Sequence, residues 1–352
     1  MNCEDRKVVM KQTMKAMLYL GPGKLELREV ALPQPQKGEV LVKVRAATTC
    51  GTDVKTYLRG HPKITPPCLF GHELAGEIVA VGEGVENFQV GMRVVCHNTA
   101  PCGSCYYCKH GYHNLCQKLI YNFGSYAEYN CVPAPIVSVN MFEIPESLSF
   151  AEAAILEPLA SVVHGQKKVG ITLGETVVII GAGPIGLMHL MLSKINGAKS
   201  VIVVDVQSNR LQIAKEFGAD EIINAKQQDP LEIIKMQTDG RGADVCIECV
   251  GQKQTWLQAV QMTRPGGRVL WFGGLPAGTQ LELNADYLHY SEITLFGSYH
   301  ATPYDVQTAF DLIASRALDV SSLVSVELPL DQLDKALQMM MNGEVVKAAI
   351  TP

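Results

Sequence analysis

The stretch Gly181-Ala-Gly-Pro184-Ile185-Gly186 restricts this chain more than any other, because a β-branched run, Thr176–Ile180, leads into it and a helical apolar pattern over residues 185–196 follows. Glycines that turn a strand directly into a helix have separable roles. Gly181 permits the tight turn, Gly183 lets a pyrophosphate approach the backbone, and Gly186 lets the helix pack closely on the strand. The N–H groups at the helix start, around Pro184 and Ile185, present positive potential to an anion. The next β-branched run ends at Asp205, where a carboxylate can accept both hydroxyls of an adenosine ribose and would repel a 2′-phosphate. The pattern therefore reads as a dinucleotide site with NAD preferred to NADP. Arg210 lies near the adenine end, although a solvated helix residue reads equally well there.

Around this loop, strands are expected at 176–180, 200–205, 221–224, 245–249, 267–272 and 293–297, with helices at 185–196, 208–217, 230–237 and 254–262. Strands alternating with helices of this length imply a parallel sheet covered on both faces, a doubly wound α/β domain. Residues 15–139 read differently, as short alternating runs (38–45, 76–81, 93–96, 125–132) broken by Pro and Gly. A helix opening at Ser149 with Glu152 in its first turn, followed by one over 158–169, crosses out of this β-rich part. Helices at 303–315 and 331–342 then return to it. A chain of 352 residues exceeds what one core normally serves, so two domains are expected: 1–162 with 300–352, and 163–299.

The formal net charge is −5 and no long block of like charge occurs, which argues against nucleic acid or an anionic membrane as partner. The apolar runs are too short to span a bilayer, and the charged start is unlike a signal sequence, so a cytoplasmic location is expected. Eleven cysteines in such a chain read as metal ligands or buried thiols rather than disulfides.

Four of them, Cys102, Cys105, Cys108 and Cys116, crowd into one loop and supply the four thiolates of a closed tetrahedral structural zinc. An iron–sulfur cluster uses similar ligands, so spacing alone leaves it open. A second constellation is Cys50-Gly-Thr52-Asp53, Gly71-His72-Glu73 and Leu156-Glu157-Pro158. Cys50, His72 and one or both of Glu73 and Glu157 would make a mixed S/N/O site with room for water or substrate, as an open catalytic zinc requires. Cys246-Ile-Glu-Cys249 fits buried strand packing better than redox chemistry, and Met339–Met341 sits in a helical pattern as core or subunit contact.

Taken in order and across nearly the whole chain, these motifs resemble the zinc-dependent medium-chain alcohol dehydrogenases. Leu156-Glu-Pro-Leu159 followed by His164 and Gly170-Ile-Thr-Leu-Gly174 is most similar to the sorbitol (polyol) dehydrogenase branch. The resemblance implies a GroES-like β-rich catalytic domain, a Rossmann nucleotide-binding domain inserted into it, and a zinc at the cleft between them. It also implies that Cys50, His72 and Glu157 or Glu73 hold that zinc, and that Ile185, Asp205, Arg210, Gly274, Leu275 and the turn Ser298-Tyr299-His300 line the NAD site. Two departures stand out. Lys55 occupies the position where the family commonly has the histidine that ends a proton relay, and His300 stands where polyol dehydrogenases offer an arginine to substrate. The expected activity is NAD-dependent interconversion of a secondary alcohol, polyol or sugar-derived, with its ketone, Thr52 and Lys55 moving the proton. A threonine-, butanediol- or simple-alcohol-type dehydrogenase is the alternative, and a catalytically silent zinc and NAD-binding protein the reading from another class. A homo-oligomer, dimer or tetramer, is expected.

Overall fold

The computed structural model describes residues 12–352; the polar start up to residue 11, with Cys3, lies outside the described residues. Two sheets organise the chain. The first runs, in spatial order, Met141–Glu143, Arg93–Cys96, Leu74–Val81, Val40–Thr48, Lys347–Thr351 and Val324–Pro329, with Tyr129–Val132 added on Val40–Thr48. The C-terminal strand thus closes the N-terminal sheet, Ala349 opposite Thr48. A small sheet of Lys24–Ala31, Thr13–Gly21 and Cys68–Leu69 packs beside it. The strand expected over 125–132 begins only at Tyr129, because Tyr126 turns inward, its ring against Phe70 and its hydroxyl donating to Asp53.

The second sheet is parallel, in the order Glu221–Asn224, Ser200–Asp205, Thr176–Ile180, Ala243–Glu248, Thr263–Trp271, Thr294–Gly297. Strand order reverses between Thr176–Ile180 and Ala243–Glu248, and the crevice at such a switch point is where open α/β sheets bind ligands. The helix Pro184–Ile195 starts there, with Gly183 as its N-cap. Gly181 adopts φ 105, and a Cβ on Gly186 would lie 1.8 Å from the Gly181 carbonyl oxygen, so neither position tolerates a side chain. A Cβ on Gly183 would meet nothing within 4 Å, which leaves that face of the loop open to the cleft.

One helix, Leu156–Val169, joins the two halves and runs unbroken through the boundary expected at 162/163, with Pro158 tolerated in its first turn. Its apolar residues Leu159, Ala160, Val162 and Val163 are fully buried or nearly so, in a cluster that takes in Val95 from one sheet, Ile144 just past the strand Met141–Glu143, and Val177, Ile179 and Leu270 from the other sheet. Residues that project from this helix toward the crevice are therefore held by a common core.

Candidate functional site

A cleft of about 760 Å³ lies between the sheets, and the two sets of residues singled out from the sequence meet in it. One end is lined by Gly181, Gly183, Pro184, Ile185 and Gly186, with Asp205, Arg210 and Gly274. At the other stand Cys50, Thr52, Lys55, His72 and Glu157, with Ser298, Tyr299 and His300 on the wall. Leu275 is half-buried but does not line the cleft, and Glu73 lies behind it, fully buried.

The helix Gly51–Arg59 fixes the metal-ligand end. Its N-cap is Cys50, whose Sγ accepts the Thr52 N–H at 3.4 Å while Asp53 accepts the Cys50 N–H at 3.0 Å, a capping box in which the cap is itself a thiol. Asp53 is fully buried; its other oxygen sits 3.2 Å from His72 Nδ1, which turns Nε2 toward Cys50 and, at 4.0 Å, toward Glu157. A carboxylate behind an imidazole sets tautomer and orientation in histidine–metal sites. Burial alone would lower the His72 pKa, but the Asp53 carboxylate and the Cys50 thiol outweigh it and hold the imidazole well above the ordinary range. For Glu157, burial and then the Glu73 carboxylate prevail over the pull of His72 and lift the carboxyl to about 7. A buried cluster of one thiol and three carboxylates that draws protons in this way is one that a divalent cation would satisfy. Ligand atoms of Cys50, His72 and Glu73 fall within 4.8 Å of one another.

Glu73 has other obligations. Its carboxylate accepts from the Thr48 hydroxyl and pairs with Lys347 Nζ at 2.8 Å, and Lys347 also donates to the Thr49 carbonyl at 2.6 Å. Lys347 and His97 were not singled out from the sequence. A lone lysine inside the apolar run Val345–Ile350 was the available signal for the first; nothing local marks His97.

The wall facing Glu157 is polar. His97 is fully buried, its Nδ1 accepting the Thr99 N–H at 3.2 Å, and Thr99 Oγ1 lies 2.7 Å from His300 Nε2. His300 has φ 61, and burial with nearby Lys63 pushes its imidazole down to about 4. Lys55 stands exposed on the wall.

The four-cysteine loop forms a separate cluster. Its sulfurs lie within 4.8 Å of one another, Cys105 to Cys108 at 3.5 Å and Cys105 to Cys116 at 3.9 Å. Four thiolates around zinc at its usual bond length stand about 3.8 Å apart. Backbone N–H groups of Ser104 and Cys105 hold Cys102 down to about 6, whereas burial and the Cys105 thiol push Cys108 up to about 12, so four negative charges collect here only around a cation. Cys246 is buried in the sheet, while Cys249, just past the strand end, faces the cofactor cleft; both are free thiols. Met340 is buried in the helix Leu333–Asn342, as a core residue. Among the described residues, no helix is long and apolar enough to cross a membrane.

A dinucleotide crevice and a buried S/N/O donor set in one cleft define a metal-dependent oxidoreductase. Residues 36–145 match the alcohol dehydrogenase GroES-like domain and residues 184–315 the zinc-binding dehydrogenase domain. A sorbitol dehydrogenase of Bacillus subtilis is 34% identical over 97% of this chain and 98% of its own. An L-threonine 3-dehydrogenase of Symbiobacterium thermophilum is 36% identical over 97% of this chain and 99% of its own. The crystal structure of a zinc-binding dehydrogenase from Sinorhizobium meliloti bound to NADP superposes with a TM-score of 0.89 at 33% identity, covering 97% of this chain and 100% of that one. The chain belongs to the zinc-binding alcohol dehydrogenases, with the GroES-like and Rossmann-type halves that the resemblance implied.

Proposed function

We propose that this enzyme oxidises a secondary alcohol of the polyol or sugar-derived class to its ketone, with NAD as hydride acceptor. The observation that carries the reading is the meeting of the Cys50/His72/Glu157 donor set with the Gly181–Gly186 loop in one cleft. When bound, zinc supplies a Lewis-acidic charge beside the alcohol oxygen and the nicotinamide supplies the hydride acceptor. Cys50, His72 and Glu157 hold the catalytic zinc, Glu73 being engaged by Lys347 and free to join only by leaving it. Asp53 keeps His72 in its ligating orientation. The Thr52 hydroxyl, on the cleft wall beside Cys50, takes the alcohol proton, and exposed Lys55 passes it outward. Cys102, Cys105, Cys108 and Cys116 hold a structural zinc that contributes folding free energy directly.

At the cofactor end, Asp205 Oδ2 accepts the Ala182 N–H at 2.7 Å and Oδ1 accepts from Val206 and Gln207, which fixes a carboxylate where the adenosine ribose would lie. That charge supports NAD over NADP, although the Sinorhizobium meliloti relative binds NADP. Ser298 Oγ, buried without a partner among the described residues, is available to the cofactor. The domain division at 162/163 and 299/300 and a homo-oligomer, dimer or tetramer, complete the proposal. The open edge strand Thr294–Gly297 supports self-association. Free thiols and a thiolate metal site suit a cytoplasmic, reducing location.

The test is a panel of polyols, simple secondary alcohols and L-threonine, followed by NADH absorbance. Preference for polyols supports the reading, preference for L-threonine replaces it with the alternative that one relative's name carries, and tight NAD binding without turnover of any alcohol replaces it with a silent binding protein.

A further inference from the structure

The cleft wall beside the candidate metal ligands is the turn Ser298-Tyr299-His300, and its main chain is sparsely held. Ser298 donates its N–H to the Trp271 carbonyl at 3.4 Å, and Thr302 donates its N–H to Asp305 Oδ2 at 3.0 Å. Between them His300 stands at φ 61, a left-handed conformation uncommon for a residue with a Cβ and sustained by its surroundings. Among the described residues one hydrogen bond reaches the main chain of Tyr299, His300 or Ala301: the Tyr299 carbonyl accepts from Asn114 Nδ2 at 3.0 Å. Asn114 is buried, and it belongs to the four-cysteine loop, in the short helical turn just before Cys116.

The partners fix the orientation of its amide. A carbonyl oxygen can only accept, so the nitrogen of Asn114 faces Tyr299, and His164 Nε2 lies 3.4 Å from the same nitrogen. His164 Nδ1 stands 2.8 Å from Asp305 Oδ2; a carboxylate also only accepts, so the neutral ring carries its proton on Nδ1 and Nε2 takes the second N–H of Asn114. Asp305 forms the capping box of the helix Pro303–Ala314 with Thr302. The chain Asp305–His164–Asn114 therefore grips the turn at both ends, and it crosses the helix that carries Glu157.

We infer that Asn114 is a positioning residue: it fixes the Tyr299 carbonyl and with it the left-handed turn that sets His300 at the metal-ligand end of the cleft. A ring nitrogen of His300 comes within 4.8 Å of a Glu157 carboxylate oxygen, so a shift of this turn moves a group where the alcohol sits. The four-cysteine loop thus shapes the substrate end of the cleft as well as holding its own metal. The effect on substrate rests on the dehydrogenase reading, whereas the effect on the turn does not.

The test uses zinc-loaded protein and Asn114→Leu, which matches the amide in shape and cannot donate, with Asn114→Ala in its place where the Leu variant does not fold. Zinc content and melting temperature identify the folded variants. Hydrogen exchange followed by mass spectrometry, without NAD or alcohol, should quicken roughly three- to tenfold in peptides covering residues 298–302, the range expected for one lost hydrogen bond. Peptides covering 181–186 and 200–205 should stay within about twofold of wild type. KM for sorbitol should rise by a factor similar to that at 298–302, while kcat and the Kd for NAD stay within about twofold. Exchange at 298–302 unchanged in a folded variant, or quickened equally throughout the protein, overturns the positioning role. Quickened exchange confined to that turn with an unmoved KM overturns its bearing on substrate. Wild-type protein that binds NAD and zinc yet does not oxidise sorbitol counts against the polyol reading, and exchange alone then decides whether Asn114 holds the turn.

Discussion

Replacing Lys347 with methionine tests whether the metal-ligand end of the cleft is held together by charge. The lysine side chain is 1% exposed and Glu73 is fully buried; their closest approach is 2.8 Å, and a second Nζ–Oε distance is 3.0 Å. At an effective dielectric of 20, two unit charges at that separation attract by about 6 kcal/mol, against which stands the desolvation of both ions. Lys347→Met preserves the length and the apolar stem but leaves the Glu73 carboxylate with the Thr48 hydroxyl as its remaining side-chain donor among the described residues. Removing one partner of such a pair costs about 3–5 kcal/mol, mostly the penalty of the stranded charge. The metal-free variant should lose that much in urea unfolding followed by circular dichroism; both tryptophans, Trp256 and Trp271, belong to the parallel-sheet half and would report chiefly on it. Adding Glu73→Gln should restore at least half of the loss, because the charge is then gone, and saturating zinc should shrink it, because a cation again stands near Glu73. A loss below about 1 kcal/mol in the metal-free single variant, or a double variant no more stable than the single, would refute the reasoning.

Elemental analysis should find two zincs per chain, with Cys50→Ser or His72→Ala abolishing turnover in a folded protein and Cys105→Ser chiefly lowering the melting temperature; stoichiometric iron would contradict the metal assignment. Asp205→Ser should narrow the NAD-to-NADP ratio of kcat/KM by about tenfold, and equal kcat/KM for both cofactors in the unmodified enzyme would remove the repulsion argument. In metal-free protein the Glu157 carboxyl, lifted from 4.5 to about 7 mainly by burial, keeps its proton across a window in which the unfolded chain has lost it. Stability should therefore fall by about 3 kcal/mol as pH rises through that window, and Glu157→Gln or zinc loading should flatten the slope; a pH-independent melting temperature in the metal-free protein would count against it. Lys55→Ala should slow alcohol oxidation about tenfold near neutrality and recover at high pH, where hydroxide substitutes; an unchanged pH–rate profile would make Lys55 a bystander.

How much of this was legible in the sequence follows from how local each signal is. The glycine loop, the strand and helix on either side of it and the acid closing the next strand are consecutive, and backbone sterics and helix-end electrostatics act over just that range. Four cysteines in one loop are local in the same sense. Tertiary structure decided everything that depends on which residues meet across the fold. The sequence left Glu73 and Glu157 open as ligands, and only the return of the C-terminal strand, which brings Lys347 against Glu73, separates their circumstances. His97 carries no motif at all; it lies beside Glu157 and His300 because the strand Arg93–Cys96 that precedes it and the bond from the Thr99 N–H fix its place. Periodicity records which face of an element is apolar, but desolvation and Coulomb energy depend on distances between segments far apart in the chain, and those are set only when the sheets close.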